Sequence, residues 1–181
     1  NAFDEALYDA TAEALLDAQH LAEEHQHPAM EPAHLLLALA RQPEGVVPAI
    51  LTRLAGSPDF LTQELQRELE ARPRMSGASS QPGLSRPLSQ VLEAAERQAG
   101  AMKDEYVSTE HLFLALAAGP ESARLKKVGV TPEAVLQSLS SIRGSQRVVS
   151  PNPEDTYQAL EKYGRDLTQL ARRGKLDPVI G

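Results

Sequence analysis

Three features of the 181-residue sequence predict an all-α fold built from two related four-helix units. The first is an internal repeat. Leu15, Ala18 and Ala22 recur 77 residues later as Leu92, Ala95 and Ala99, and His34-Leu35-Leu36-Leu37-Ala38-Leu39 recurs as His111-Leu112-Phe113-Leu114-Ala115-Leu116. The second is a matched pair of helix starts at an offset of 74, Ser57-Pro58-Asp59 and Thr131-Pro132-Glu133. Each carries a capping hydroxyl, a proline at the first helical position and an acid in the first turn. The third is composition: aromatics make up 4% and tryptophan is absent, so the core must be Leu, Ala and Val, which suits close helix packing. Long units that share apolar positions and differ in surface chemistry mark a duplicated scaffold.

Each helix has its own signals. Residues 3–26 carry Leu7, Ala10, Ala14, Ala18 and Leu21 at helical spacing. His27-Pro28 ends that run, because a residue before proline avoids the helical region. A second helix fits Pro32 to about Arg41, and a third fits Val47 to Leu54, stopped by Gly56. The fourth follows Ser57-Pro58-Asp59 and aligns Leu61, Leu65 and Leu69. Residues 73–87, rich in Pro, Gly and Ser, read as a loop between the units. The second unit replays the first, with helices from Leu88 to about Lys103, Thr109 to Ala118, Glu121 to Val128, and Pro132 to about Arg143. The expected division is a helical domain over 1–143, with repeat one at about 3–72 and repeat two at about 85–143. A polar linker at 144–153 and a short helical tail at 154–181 follow. The tail is too short and polar for a domain, so the chain is expected to be a piece of a longer protein.

The totals narrow the function. Eighteen basic and 25 acidic residues give a net charge of −7, which argues against nucleic acid as the main ligand, since phosphate binding needs clustered Lys and Arg. With no cysteine there is neither a disulfide framework nor thiolate chemistry. No apolar run approaches the ~18 residues that span a bilayer, and no secretory signal is visible; a soluble, cytoplasmic protein is expected. His20, His25 and His27 lie close together, but no cysteine completes a tetrahedral metal set. His34 and His111 occupy equivalent positions near helix starts, where a scaffold hydrogen bond is the simpler role. No Gly-x-Ser-x-Gly elbow and no phosphate-binding loop is present. The chain is therefore expected to catalyse nothing and to hold no metal. The segment Asp104-Glu105-Tyr106-Val107-Ser108-Thr109-Glu110 joins two helices and sets acids beside apolar residues. Its plain reading is a polar turn that caps the next helix.

The repeat, with Glu31-Pro32-Ala33-His34-Leu35-Leu36 and Ser108-Thr109-Glu110-His111-Leu112-Phe113, resembles the Clp N-terminal repeat domain. The tail, Tyr157-Gln158-Ala159-Leu160-Glu161-Lys162-Tyr163-Gly164-Arg165-Asp166-Leu167-Thr168 and Gly174-Lys175-Leu176-Asp177-Pro178-Val179-Ile180-Gly181, resembles the entry to the first AAA+ module of ClpB-type disaggregases. The resemblance implies a full-length, homohexameric ATPase that uses ATP and magnesium and threads aggregated polypeptides with the DnaK chaperone system. This chain would be its substrate-capture domain, binding apolar segments of unfolded or aggregated proteins. The alternative is the adaptor-docking domain of a protease-coupled Clp unfoldase. Val179 and Ile180 would touch the adenine of ATP in the full-length protein. The implied substrate groove uses Leu88, Leu92, Tyr106 and Val107 for apolar contact, with Asp104 and Glu110 at its rim. Ala94 and His111 stand where relatives often have Leu, and Tyr8 where they usually have Thr.

Overall fold

The structure, a computed structural model, describes residues 2–75, 81–104 and 107–149, with side chains at 10–75, 81–104 and 107–142. Eight helices run in the expected order among the described residues. The first unit contains α1 (Ala2–Glu24), α2 (Pro32–Ala40), α3 (Val46–Ala55) and α4 (Asp59–Ala71). The second contains α5 (Arg86–Ala101), α6 (Thr109–Ala118), α7 (Ser122–Lys126) and α8 (Pro132–Val149).

The two helices that carry the strongest repeat form the centre. Every residue of α2 is buried, as is every residue of α6 from Thr109 to Ala117. A helix apolar on all sides must be surrounded. α1 covers α2 and α5 covers α6, while α2 and α6 also touch each other. Leu61, Leu65 and Leu69 bury one face of α4 against α2. The units are interlocked rather than side by side, since α3 packs on α6 and α8 of the other unit. One continuous core results, from Leu15 and Leu36 to Phe113 and Leu139.

The hydroxyls at the two helix starts bond as the sequence indicates, although α4 begins one residue later, with Pro58 at its N-cap and not at its first helical position. Ser57 Oγ accepts from the Asp59 N–H, and Thr131 Oγ1 accepts from the Ala134 N–H. Gly56, with φ of 86°, takes the left-handed conformation that ends α3, and Gly129, with φ of 82°, takes it in the turn that follows α7. α7 has five residues where α3 has ten. That shortening falls where the repeat offset drops from 77 to 74.

Two expectations need correction. Residues 73–87 are not wholly loop. Gly83–Leu84 forms a two-residue strand, β2, parallel to β1 (Ala29–Met30), with Ala29 opposite Gly83 and Met30 opposite Leu84. The pairing has no mirror image. By the 77-residue offset the counterparts of Gly83 and Leu84 are Ala6 and Leu7, which lie inside α1. The second correction is the linker. α8 continues to Val149, six residues into the stretch expected to be linker. Gly144 costs a helix only about 1 kcal/mol, and the first proline after it is Pro151. Residues 150–153 and the tail at 154–181 lie outside the described residues.

α7 has a single buried side chain, Leu125, so charge holds it to the first unit. Arg124 donates from Nε to Glu121 at 2.6 Å, and from its two terminal nitrogens to Glu64 at 2.8 Å and Glu68 at 2.7 Å. Glu68 also accepts from Arg72 at 2.8 Å. The two guanidiniums hold the Glu68 carboxyl below its usual range, although its desolvation opposes them. Burial pushes Glu121 up despite Arg124.

Candidate functional site

The central helices begin with the same device in both units. At the start of α2, the Glu31 N–H donates to His34 Nδ1 at 2.8 Å. At the start of α6, the Ser108 N–H donates to His111 Nδ1 at 3.0 Å. Each histidine closes a capping box and satisfies an orphan backbone donor. With Nδ1 accepting, the proton sits on Nε2. Nε2 then donates seven residues back, from His34 to His27 Nδ1 at 2.8 Å and from His111 to Asp104 Oδ2 at 3.0 Å. His27 and Asp104 are themselves repeat partners at the 77-residue offset. The duplicated bond thus has an imidazole acceptor in one unit and a carboxylate in the other. Burial, reinforced by His27, Arg72 and His25, lowers His34 to about 3.

This geometry defines what the sequence-predicted site residues do. Asp104 orients His111. Glu110 sits in the first turn of α6, 5% exposed. Leu88, Leu92 and Val107 belong to the core, so they present no apolar surface to a peptide. The reason is the α5 stripe: Leu88, Val91, Leu92, Ala95 and Ala99 line one face, and that face packs on α6. Tyr106, Val179 and Ile180 lie outside the described residues, as does the side chain of Tyr8. His25 and His27, just after α1, are committed to protein partners. His25 Nδ1 donates to the Leu21 carbonyl at 2.8 Å, and its ring stacks on His27. Among the described residues no group of three His, Cys, Asp or Glu is placed to hold a metal. No described helix is long and apolar enough to cross a membrane.

The concave surface flanks that stripe, sharing Val91 with it. A cleft of about 900 Å³ runs between α5 and the C-terminal end of α6. Val91, Ala94, Ala115 and Ala118 line it, with Pro87 at one end and Glu93 and Arg97 among its charged residues. The first unit has the same cleft between α1 and α2, smaller at about 480 Å³, lined by Leu16, Asp17, His20, Ala38, Arg41 and Gln42 among others. Each of those six is the counterpart, 77 residues earlier, of a residue lining the larger cleft. In the first unit the cleft is bridged. Arg41 donates to both carboxylate oxygens of Asp17 at 2.9 and 2.8 Å, and Gln42 Nε2 donates to the Ala10 carbonyl at 2.6 Å. In the second unit Asp17, Arg41, Gln42 and Ala10 become Ala94, Ala118, Gly119 and Pro87. Truncating the bridging side chains opens the cleft. The sequence carries this signal, because aligning the repeats exposes the loss of the Asp–Arg pair.

The comparisons with known proteins agree with this architecture. The chain is 45% identical over 180 residues to chaperone protein ClpB of Nitratidesulfovibrio vulgaris, covering 96% of this chain and 21% of that one. It is 46% identical over 170 residues to chaperone protein ClpB of Mycobacterium leprae, covering 93% and 20%. The chain therefore spans about a fifth of the length of these curated relatives. Among solved structures, the Hsp104 N-terminal domain from Candida albicans is similar, with a TM-score of 0.63 and 24% identity, covering 74% of this chain and 89% of that one. The N-terminal domain of the caseinolytic protease associated chaperone ClpD from Arabidopsis thaliana gives 0.52 and 22%, covering 74% and 94%. At those identities the structural likeness carries the fold. The model of the Clp repeat (R) N-terminal domain matches residues 7–125, and the chain belongs to that family.

Proposed function

We propose that this domain captures exposed apolar segments of unfolded or aggregated polypeptides on behalf of a ClpB-type disaggregase, using the open cleft of the second unit. The observation that carries the reading is that cleft, whose floor is apolar and small enough in side-chain size for a polypeptide to approach α5 closely. The ClpB relatives support the chaperone setting. In the same reading, the full-length protein is a cytoplasmic homohexamer that hydrolyses ATP with magnesium and cooperates with the DnaK system. Val179 and Ile180 belong to its nucleotide-binding module.

The expected affinity is low. The cleft exposes little apolar lining, so its burial returns only a few kcal/mol. Association costs of about 4–15 kcal/mol offset most of what contact along the rest of the polypeptide adds, leaving roughly millimolar binding. Weak capture suits a threading machine, which must release what it holds. The test is titration of the isotope-labelled chain with a permanently unfolded model protein, followed by amide shifts. Fast-exchange shifts clustered at residues 87–98 and 115–120 are expected. No shifts at millimolar ligand, or shifts confined to other faces, overturn the reading.

A further inference from the structure

We propose that Arg124 is a positioning residue for the open cleft: by tying α7 to the carboxylates of α4 it fixes the wall at Ala118, Gly119 and Pro120, so that binding in the second unit depends on Glu64 and Glu68 of the first. The inference rests on the capture reading above and adds a residue that lies outside the cleft itself. Ala118, Gly119 and Pro120 line one end of the cleft, and Glu121, which follows them, is the N-cap of α7. The wall is therefore a short span between two supports. One is α6, where the Gly119 and Glu121 N–H groups both donate to the Leu116 carbonyl, at 3.2 and 3.0 Å. The other is the Glu121 carboxylate, which accepts from Arg124 Nε at 2.6 Å. The remaining guanidinium nitrogens reach Glu64 and Glu68 across the unit boundary at 2.8 and 2.7 Å.

A buried carboxylate makes the wall depend on the arginine. The Glu121 side chain is 9% exposed, and its burial pushes the carboxyl up even with Arg124 beside it. Removing the guanidinium strands a charge where little water reaches it, which is strongly unfavourable. The strain is relieved when the carboxylate moves outward, and Pro120 and Gly119 move with it. Packing resists this weakly, because Leu125 is the one buried side chain of α7 and α6 is the helix on which α7 packs. The twin cleft has the same wall without this dependence. Pro43-Glu44 matches Pro120-Glu121 at the 77-residue offset, and Pro43 lines the smaller cleft as Pro120 lines the larger. Glu44 is exposed, so water solvates its carboxylate and no buried arginine is needed.

The test combines amide resonances of the free, isotope-labelled chain with titration by a permanently unfolded model protein. Arg124→Gln should move the Ala118 and Gly119 resonances and weaken binding by about threefold or more, through loss of the preformed wall. A loss of stability alone moves neither resonance in the folded chain. Adding Glu121→Gln removes the stranded charge, so the double variant should return both resonances toward their original positions and restore affinity to within about twofold. If Arg124→Gln does not fold, the pair Glu64→Gln and Glu68→Gln unties α7 from α4 while leaving Glu121 paired. That variant should move the same resonances and weaken binding by about twofold. The inference fails if the variants leave Ala118 and Gly119 in place, if affinity does not change, or if Glu121→Gln does not restore it. The resonances of the free chain need no ligand, so they test the wall separately from capture. Capture itself fails if the unmodified chain shows no shift in its cleft with the unfolded protein.

Discussion

Mild acid should destabilise this domain through His34, and replacing its neighbour His27 with aspartate should reduce the effect. His34 is fully buried, and its imidazole is lowered from 6.5 to about 3, chiefly by desolvation and then by His27, Arg72 and His25. Above about pH 6.5 both folded and unfolded chains hold the ring neutral, and stability does not depend on its titration. Between 6.5 and about 3 the unfolded chain takes up a proton that the folded chain refuses, so stability falls with pH. The slope is about 1.4 kcal/mol per pH unit, which makes the loss about 2 kcal/mol at about pH 5. His27 is lowered by burial as well and adds to the loss in the same direction. Urea unfolding followed by circular dichroism at about pH 7.5 and about pH 5 measures the difference directly. The second unit supplies the control, since His111 donates to Asp104 where His34 donates to His27. His27→Asp copies that arrangement into the first unit and gives an imidazolium at residue 34 a carboxylate partner. The variant should lose at least about 1 kcal/mol less than the unmodified protein over the same interval. Equal losses in the two proteins would refute the assignment of acid sensitivity to this pair.

Arg124→Ala removes three charge-assisted bonds from a guanidinium whose side chain is 16% exposed. It should cost about 2–4 kcal/mol in a thermal melt, between the ~3–5 of a broken buried pair and the ~0–1 of an exposed one; a loss under about 0.5 kcal/mol would show that α7 is held by other contacts. Phe113→Ala and Leu36→Ala, at equivalent fully buried positions, should cost about 3–5 and 2–5 kcal/mol in urea unfolding, and neutrality at either site would contradict the shared core. Gly56→Ala meets no atom within 4 Å but must hold a φ of 86°, so its cost should be backbone strain alone, about 1–2 kcal/mol. ATP should neither be hydrolysed by this chain nor raise its melting temperature, because the sequence lacks a phosphate-binding loop and its lysine; turnover that survives purification and disappears on mutation within the chain would overturn this.

Much of the fold was legible because its punctuation is local. α6 spans Thr109–Ala118, the boundaries that Ser108 and Gly119 indicate, and α4 and α8 begin beside their hydroxyl caps. Local signals fail where the decisive contact is distant. A two-residue strand at Gly83–Leu84 has no sequence pattern, and only its partner at Ala29–Met30 makes it a strand. The extension of α8 to Val149 shows that a polar, glycine-containing stretch without proline need not end a helix. In the site, periodicity was the better guide to Leu92. The spacing of Leu88, Leu92, Ala95 and Ala99 puts all four on one helical face, and that face is covered by α6. The open cleft is written in the differences between the repeats, where Asp17 and Arg41 give way to Ala94 and Ala118.

The interlocking of α3 with α6 and α8 has a consequence for synthesis. During translation the first unit leaves the ribosome before the helices that complete its surroundings exist. The residues from Ala40, the end of α2, to Thr109, the start of α6, take roughly 3–14 s to add at 5–20 residues per second. Throughout that interval α2, apolar on every side, lacks the cover that α6 provides. A nascent first half is therefore a sticky, partly ordered species, and a gene encoding only that half should yield aggregates in place of a half-sized domain. The duplication created two copies of a sequence pattern, but the heritable folding unit is the pair.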